Sequence, residues 1–199
     1  MHSSARKLFL VLAVWGLLAS LAGACHLLAH LPPVGAPLLI AGLTLGFSVA
    51  LARAGGLKAA AVALGVRAIL AVHLVRFVGI YFLWLQVQGR LPVEFAQRAG
   101  WGDIVAAVGA LGLLFWHEGA GFRRGLFWWN LVAAADLFVA VGTAGWLNLT
   151  RPGSMVEITG LPLALIPLWV VPVLLSSHIY LLRQHACAHR ATEPAPARA

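Results

Sequence analysis

The chain has 199 residues, of which 61% are hydrophobic and only 10% charged, against roughly 25% charged residues in soluble domains. That shortfall, with a mean hydropathy of +0.91, excludes a water-facing globular surface and predicts an all-α, polytopic transmembrane bundle. The net charge of +8 does not point to nucleic acid, because the basic residues are scattered through short connections rather than gathered on one face.

Six apolar windows are long enough to cross the hydrocarbon core as helices. They run Leu8 to Leu28, Pro37 to Ala54, Leu57 to Val87, Asp103 to Trp116, Gly125 to Leu147 and Leu161 to Leu182. The apolar runs are continuous and do not alternate with period two, which argues against strands. The first run is longer than the apolar part of a cleavable leader and is expected to be a span. The third is long enough to tilt or project. The expected organisation is one six-helix domain over residues 1–184 and a Pro/Ala-rich disordered cytoplasmic tail over 185–199.

Lysine and arginine set the orientation. Nine, from Arg6 to Arg198, fall on the side of the two termini; only Arg90, Arg98 and Arg151 fall on the other. The bias places both termini in the cytoplasm. Cys25 and Cys187 then lie on opposite sides and cannot bridge. "NLT" at Asn148 matches a glycosylation sequon, a short pattern that recurs by chance. "HACAH" at His185 carries metal-binding atoms without a second cluster at zinc spacing. No internal repeat, phosphate loop, zinc-protease motif or nucleophile elbow is present, and no nucleophile–base pair stands at motif spacing for an intramembrane hydrolase.

Charged and titratable groups inside spans are costly and usually face the bundle interior with partners. Span three carries Arg67, His73 and Arg76, span five Asn130 and Asp136, and span six His178 beside Ser176 and Ser177. His73 and Arg76, three apart, share a helix face. Arg67 lies on the opposite side near the cytoplasmic end, where snorkelling to the headgroups explains it. Arg76 and Asp136 both lie eleven residues from the outer ends of their spans, Val87 and Leu147, a depth of about 16 Å. An ion pair between spans three and five is therefore expected. His73 and His178 match in depth when counted from the outer ends and not from the cytoplasmic ends, so spacing leaves their meeting open. A lone polar residue of this kind is ordinarily interhelical glue, averaging about 0.6 kcal/mol. A group of four points to a pocket, with Asp103 and Asn130 as further lining candidates.

Between spans three and four, "GRLPVEFAQRAGWGD" places Glu94 and Arg98 at i,i+4, the pattern of a short interfacial helix around residues 90–101. Asp103 is expected to cap the following span through its side-chain oxygen. The alternative is a lid over Arg76 and Asp136 with Asp103 lining its mouth.

The stretch "RFVGIYFLWLQVQGRLPVEFAQRAGWGDI" from Arg76 resembles small uncharacterised six-span bacterial inner-membrane proteins. They share an R-x-x-G pattern followed by G-x-LP-x-x-FA and AG-x-GD. "NLVAAADLFVAVGTAG" and "LPLALIPLWVVPVLLSSH" resemble the same group, so the likeness covers spans three to six. It implies a six-helix bacterial inner-membrane protein and singles out Arg76, Asp103, Asp136 and His178, but brings no activity with it.

Three functions compete on the residues. One is a protein that binds or conducts a small solute or protons through the Arg76/Asp136/His178 region, where Pro162, Pro167 and Pro172 free carbonyls to line a cavity. The second is a b-type haem electron carrier with His73 and His178 as axial ligands, which would make haem b its cofactor. The third is an accessory or assembly subunit in which the cluster only fixes helix register. The expected partners are the lipid bilayer and a second copy or larger membrane complex, and no nucleic acid.

Overall fold

A computed structural model describes residues 2–192, with side chains described for 5–187. All regular structure among the described residues is helical. Helix α1 spans His2–Ala24, α2 Gly35–Arg53, α3 Gly55–Val72, α4 Val78–Val87, α5 Val93–Phe115, α6 Ala120–Thr150 and α7 Val171–Thr192. A 3₁₀ turn at His73–Phe77 joins α3 to α4, and a π-helical turn at Ile166–Val170 leads into α7. Six helical stretches are long and apolar enough to cross a membrane, with α3, the turn and α4 forming one of them. They correspond to the six windows legible in the sequence. Many of their large apolar side chains point outward, as with Phe9, Leu17 and Leu18 on α1 and Phe138 on α6, which suits a lipid-facing surface.

Three expectations need correction. Residues 90–101 do not form a separate interfacial helix: from Val93 they are the first turns of α5, which runs on unbroken to Phe115. Pro92 sits before the first turn, where its missing N–H costs nothing, and Glu94 lies in that turn, where a carboxylate suits the positive end of the helix. Asp103 is therefore not a cap but lies mid-helix. The third concerns the tail. Helix α7 continues through His185 to Thr192, because "HACAHRA" is rich in helix-favouring alanine; residues 193–199 lie outside the described residues.

Span three is broken twice. Gly65 has φ +71° and ψ 173°, a conformation essentially restricted to glycine, so the span changes course there. Eight residues on, the 3₁₀ turn begins with His73. In a 3₁₀ helix residues i and i+3 eclipse, so His73 and Arg76 fall on the same face in closer angular register than an α-helix would give them.

Two glycines let α4, α5 and α6 approach one another closely. A β-carbon on Gly79 of α4 would collide with the Gly100 carbonyl of α5 and sit 3.0 Å from the Asp103 β-carbon. One on Gly102 of α5 would collide with the Asp136 carboxylate of α6. With no side chain at either position, the three helices bring their polar groups together.

Pro172 ties the last span to the first. Lacking an N–H, it cannot donate to the Leu168 carbonyl one turn earlier. The Trp15 indole of α1 donates to that carbonyl instead, at 3.0 Å. The freed carbonyl thus faces a neighbouring helix and does not line a cavity as the sequence suggested.

Candidate functional site

Arg76 is almost fully buried, 1% exposed, where three helices converge. Its Nε donates to Asp103 Oδ1 at 2.6 Å, one terminal nitrogen donates to the Ala133 carbonyl at 2.9 Å, and the other donates to Asp136 Oδ2. The expected pair of Arg76 with Asp136 forms, and Asp103 joins it as a second carboxylate. The planar fork of a guanidinium suits such a three-way grip, which an ammonium would not reproduce. With both carboxylates ionised the trio carries one net negative charge inside the bundle.

A second group lies alongside. His73, His178 and Asn130 are 0%, 1% and 2% exposed. The two imidazole centroids are 4.6 Å apart, and His73 also meets Trp129 edge-on at 4.9 Å. The Trp129 indole is fixed by donating to the Ala106 carbonyl at 2.9 Å. The depth ambiguity is thereby resolved: the two histidines touch.

The hydrogen bonds decide both tautomers. Ser177 Oγ donates to the Leu174 carbonyl at 2.7 Å, so toward His73 Nε2, 2.9 Å away, it can only accept. His73 therefore carries its proton on Nε2. Asn130 Nδ2 donates to the His178 carbonyl at 3.2 Å, which turns Asn130 Oδ1 toward His178 Nδ1 at 2.6 Å. That ring nitrogen must be the donor. The nitrogens left over, His73 Nδ1 and His178 Nε2, are buried without a partner. Each presents a free lone pair.

This contact does not fit axial haem ligation. With metal–nitrogen bonds of about 2.0 Å, as for imidazole on zinc, two axial rings across a porphyrin have centroids about 6 Å apart with the macrocycle between them. Rings in direct contact at 4.6 Å leave no space for it.

Two cavities flank these groups. One, of about 300 Å³, opens at the end of the bundle that carries the 25–34 and 151–165 connections. Its walls include Phe82, Phe95, Leu137 and Pro167, and Asp103 is its one charged lining residue. At that same end Arg90 donates to both Glu157 oxygens at 3.1 and 2.7 Å, and Arg151 donates to Glu94. These pairs pin the 151–160 segment against the first turn of α5 and the connection that precedes it. Glu157 beside Arg90 holds that guanidinium's pKa above its usual value.

The other cavity, of about 370 Å³, lies at the opposite end among α2, α3 and α7. Ser48 and Ser176 line it. Ser48 donates to Ser176 Oγ at 3.1 Å, and Ser176 donates to the Thr44 carbonyl at 3.1 Å.

Of the sequence candidates, Arg76, Asp136 and Asp103 form one group and His73, His178 and Asn130 the adjoining one. Trp129, Thr44 and Ser48 were missed. Thr44 and Ser48, four apart on an apolar helix, carried a readable signal, since that spacing puts both on one face. Arg67 stands apart, half-exposed, facing Glu118 at 3.5 Å and donating to the Leu114 and Trp116 carbonyls, where it closes the end of α5.

A family model described as a domain of unknown function, DUF8737, matches residues 33–185. No curated protein and no solved structure matches the chain.

Proposed function

The chain belongs to the DUF8737 family, a domain of unknown function, and we propose from its geometry that it binds a small solute and moves protons across a membrane. In this reading it is a multi-pass protein of the bacterial inner membrane with both termini in the cytoplasm, as the distribution of lysine and arginine favours. The cavity above Asp103 then opens outward and the Ser48–Ser176 cavity inward.

The observation that carries the proposal is the string of polar groups between the two cavities. Asp103 lines the first cavity and grips Arg76. Arg76 and His73 share one face of a 3₁₀ turn, His73 meets His178 and Ser177, and the neighbouring Ser176 lines the second cavity. A lone net charge in a bundle is costly. One proton taken up by the trio, or by an imidazole lone pair beside it, removes that charge. The string can thus hold a proton in the membrane interior, and the apolar cavity above it accommodates a small, largely apolar solute with a polar group directed at Asp103.

Proton flux into liposomes containing the purified protein tests the reading, with a pH-sensitive dye inside and a potassium diffusion potential as the driving force. The wild type should acidify the vesicles faster than the protein-free leak. Asp103→Asn and His178→Leu, at equal incorporation, should fall to that leak, while Arg124→Gln should not. A wild type no faster than empty vesicles, or an unimpaired His178→Leu variant, would sink proton conduction by this route.

A further inference from the structure

The cavity at the far end has a character of its own. Lys58 and Arg183 line it beside Leu51, Val62, Ile179 and Tyr180. No carboxylate lines it, and neither Lys58 nor Arg183 is in an ion pair among the described residues, although five such pairs form elsewhere. Lys7 of α1 reaches the same corner, its Nζ 3.9 Å from where a β-carbon on Gly56 would lie. The amino end of α3 at Gly55 has no side-chain cap and adds partial positive charge there.

Cationic heads and an apolar wall are thus joined in one cleft, at the ends of membrane-spanning helices. That is the level of the lipid phosphates. A free anion would use the cations and leave the Leu51, Val62 and Ile179 wall uncovered. A neutral lipid would leave the cations unpaired. An anionic lipid uses both, and basic pockets between spans recur as sites for such headgroups.

We propose that the cleft among α2, α3 and α7 is a binding site for one anionic phospholipid. Its phosphate lies between Lys58 and Arg183, and its hydrocarbon runs along Leu51, Val62 and Ile179. The cleft is the cavity that opens inward in the reading above, but the proposal rests on its cationic and apolar lining alone, so lipid retention can hold or fail whatever the proton flux.

The test is lipid retention by the full chain released from nanodiscs of mixed phosphatidylcholine and phosphatidylglycerol, read by native mass spectrometry. The wild type should hold one phosphatidylglycerol in preference to phosphatidylcholine. The double variant Lys58→Gln/Arg183→Gln should bind it about thirtyfold more weakly, or five- to sixfold for each lost cation. Lys58→Arg/Arg183→Lys should retain it, as should Arg123→Gln/Arg124→Gln, which removes two cations at the same end outside the cleft. Both positions of the test pair are exposed, so the glutamines should leave folding intact, which the melting temperature checks. Equal retention by the Gln variant and the wild type overturns the proposal. So does a rise in wild-type melting temperature with inorganic phosphate alone that matches the rise with phosphatidylglycerol, because a free anion would then be the occupant.

Discussion

Replacing Arg76 by methionine should be among the most damaging single changes in the chain, and the damage should be reversible by removing two further charges. Arg76 makes three donor contacts from a site 1% exposed. Methionine fills much of the volume but leaves Asp103 and Asp136 as facing carboxylates without a cation. Breaking a buried pair by deleting one partner costs about 3–5 kcal/mol, and two stranded acids put this case at the upper end or beyond. At about 2–4 °C per kcal/mol for a chain of this size, the melting temperature in detergent should fall by about 10–20 °C. Arg67→Met is the control: its half-exposed pair with Glu118 belongs to a class worth about 0–1 kcal/mol. The triple variant Arg76→Met/Asp103→Asn/Asp136→Asn removes all three charges and should regain most of the loss, since a neutral buried cluster has no unpaired ion. Thermal unfolding followed by light scattering reads all three proteins. If Arg76→Met melts within 2–3 °C of wild type, about one kcal/mol, or the triple variant is no better than the single one, the buried trio does not exist as described.

Gly102→Ala should push the new methyl into the Asp136 carboxylate, costing about 1–3 kcal/mol by overpacking and reducing proton flux in the liposome assay. Gly112→Ala, where nothing lies within 4 Å, should do neither. Trp15→Phe keeps the ring but removes the donor to the Leu168 carbonyl; leaving that acceptor unmet should cost about 1–3 kcal/mol, measured as a lower melting temperature with the site groups unaltered.

The six long apolar helices were legible because runs of such composition and length are rare in anything but a helix able to cross a membrane. Arg76 with Asp136 was legible too, because opposite charges at matched depth in neighbouring apolar runs have few other places to go. Asp103 was rightly a lining candidate, but its expected role as a cap fails for a local reason. A carboxylate just before a strongly apolar run looks like a cap, whereas the helix-forming residues from Glu94 to Arg98 extend the same helix upstream of it. His73 with His178 was undecidable from spacing, because span three contains a Gly65 break and a 3₁₀ turn that change its rise and rotation. Neither irregularity has a strong signature in the sequence. The Trp15 contact belongs to the same class: Pro172 announces a carbonyl without its usual donor, but nothing in the sequence says which neighbour answers it.

The order in which the chain is made bears on how this interior is completed. The Arg76 trio is closed once α6 has joined α4 and α5. His73, Asn130, Ser48 and Trp15, in contrast, all find their partners on the π-helical turn or α7. In the membrane reading proposed above, a nascent chain with five helices inserted would hold the Arg76 trio paired but its histidine, asparagine, serine and tryptophan groups unsatisfied until the last helix arrives. A protein ended before Ile166 would carry that deficit permanently, with polar groups exposed to lipid where the sixth span should sit. The last helix acts as the seal on assembly, and its loss should mark the truncated chain for degradation.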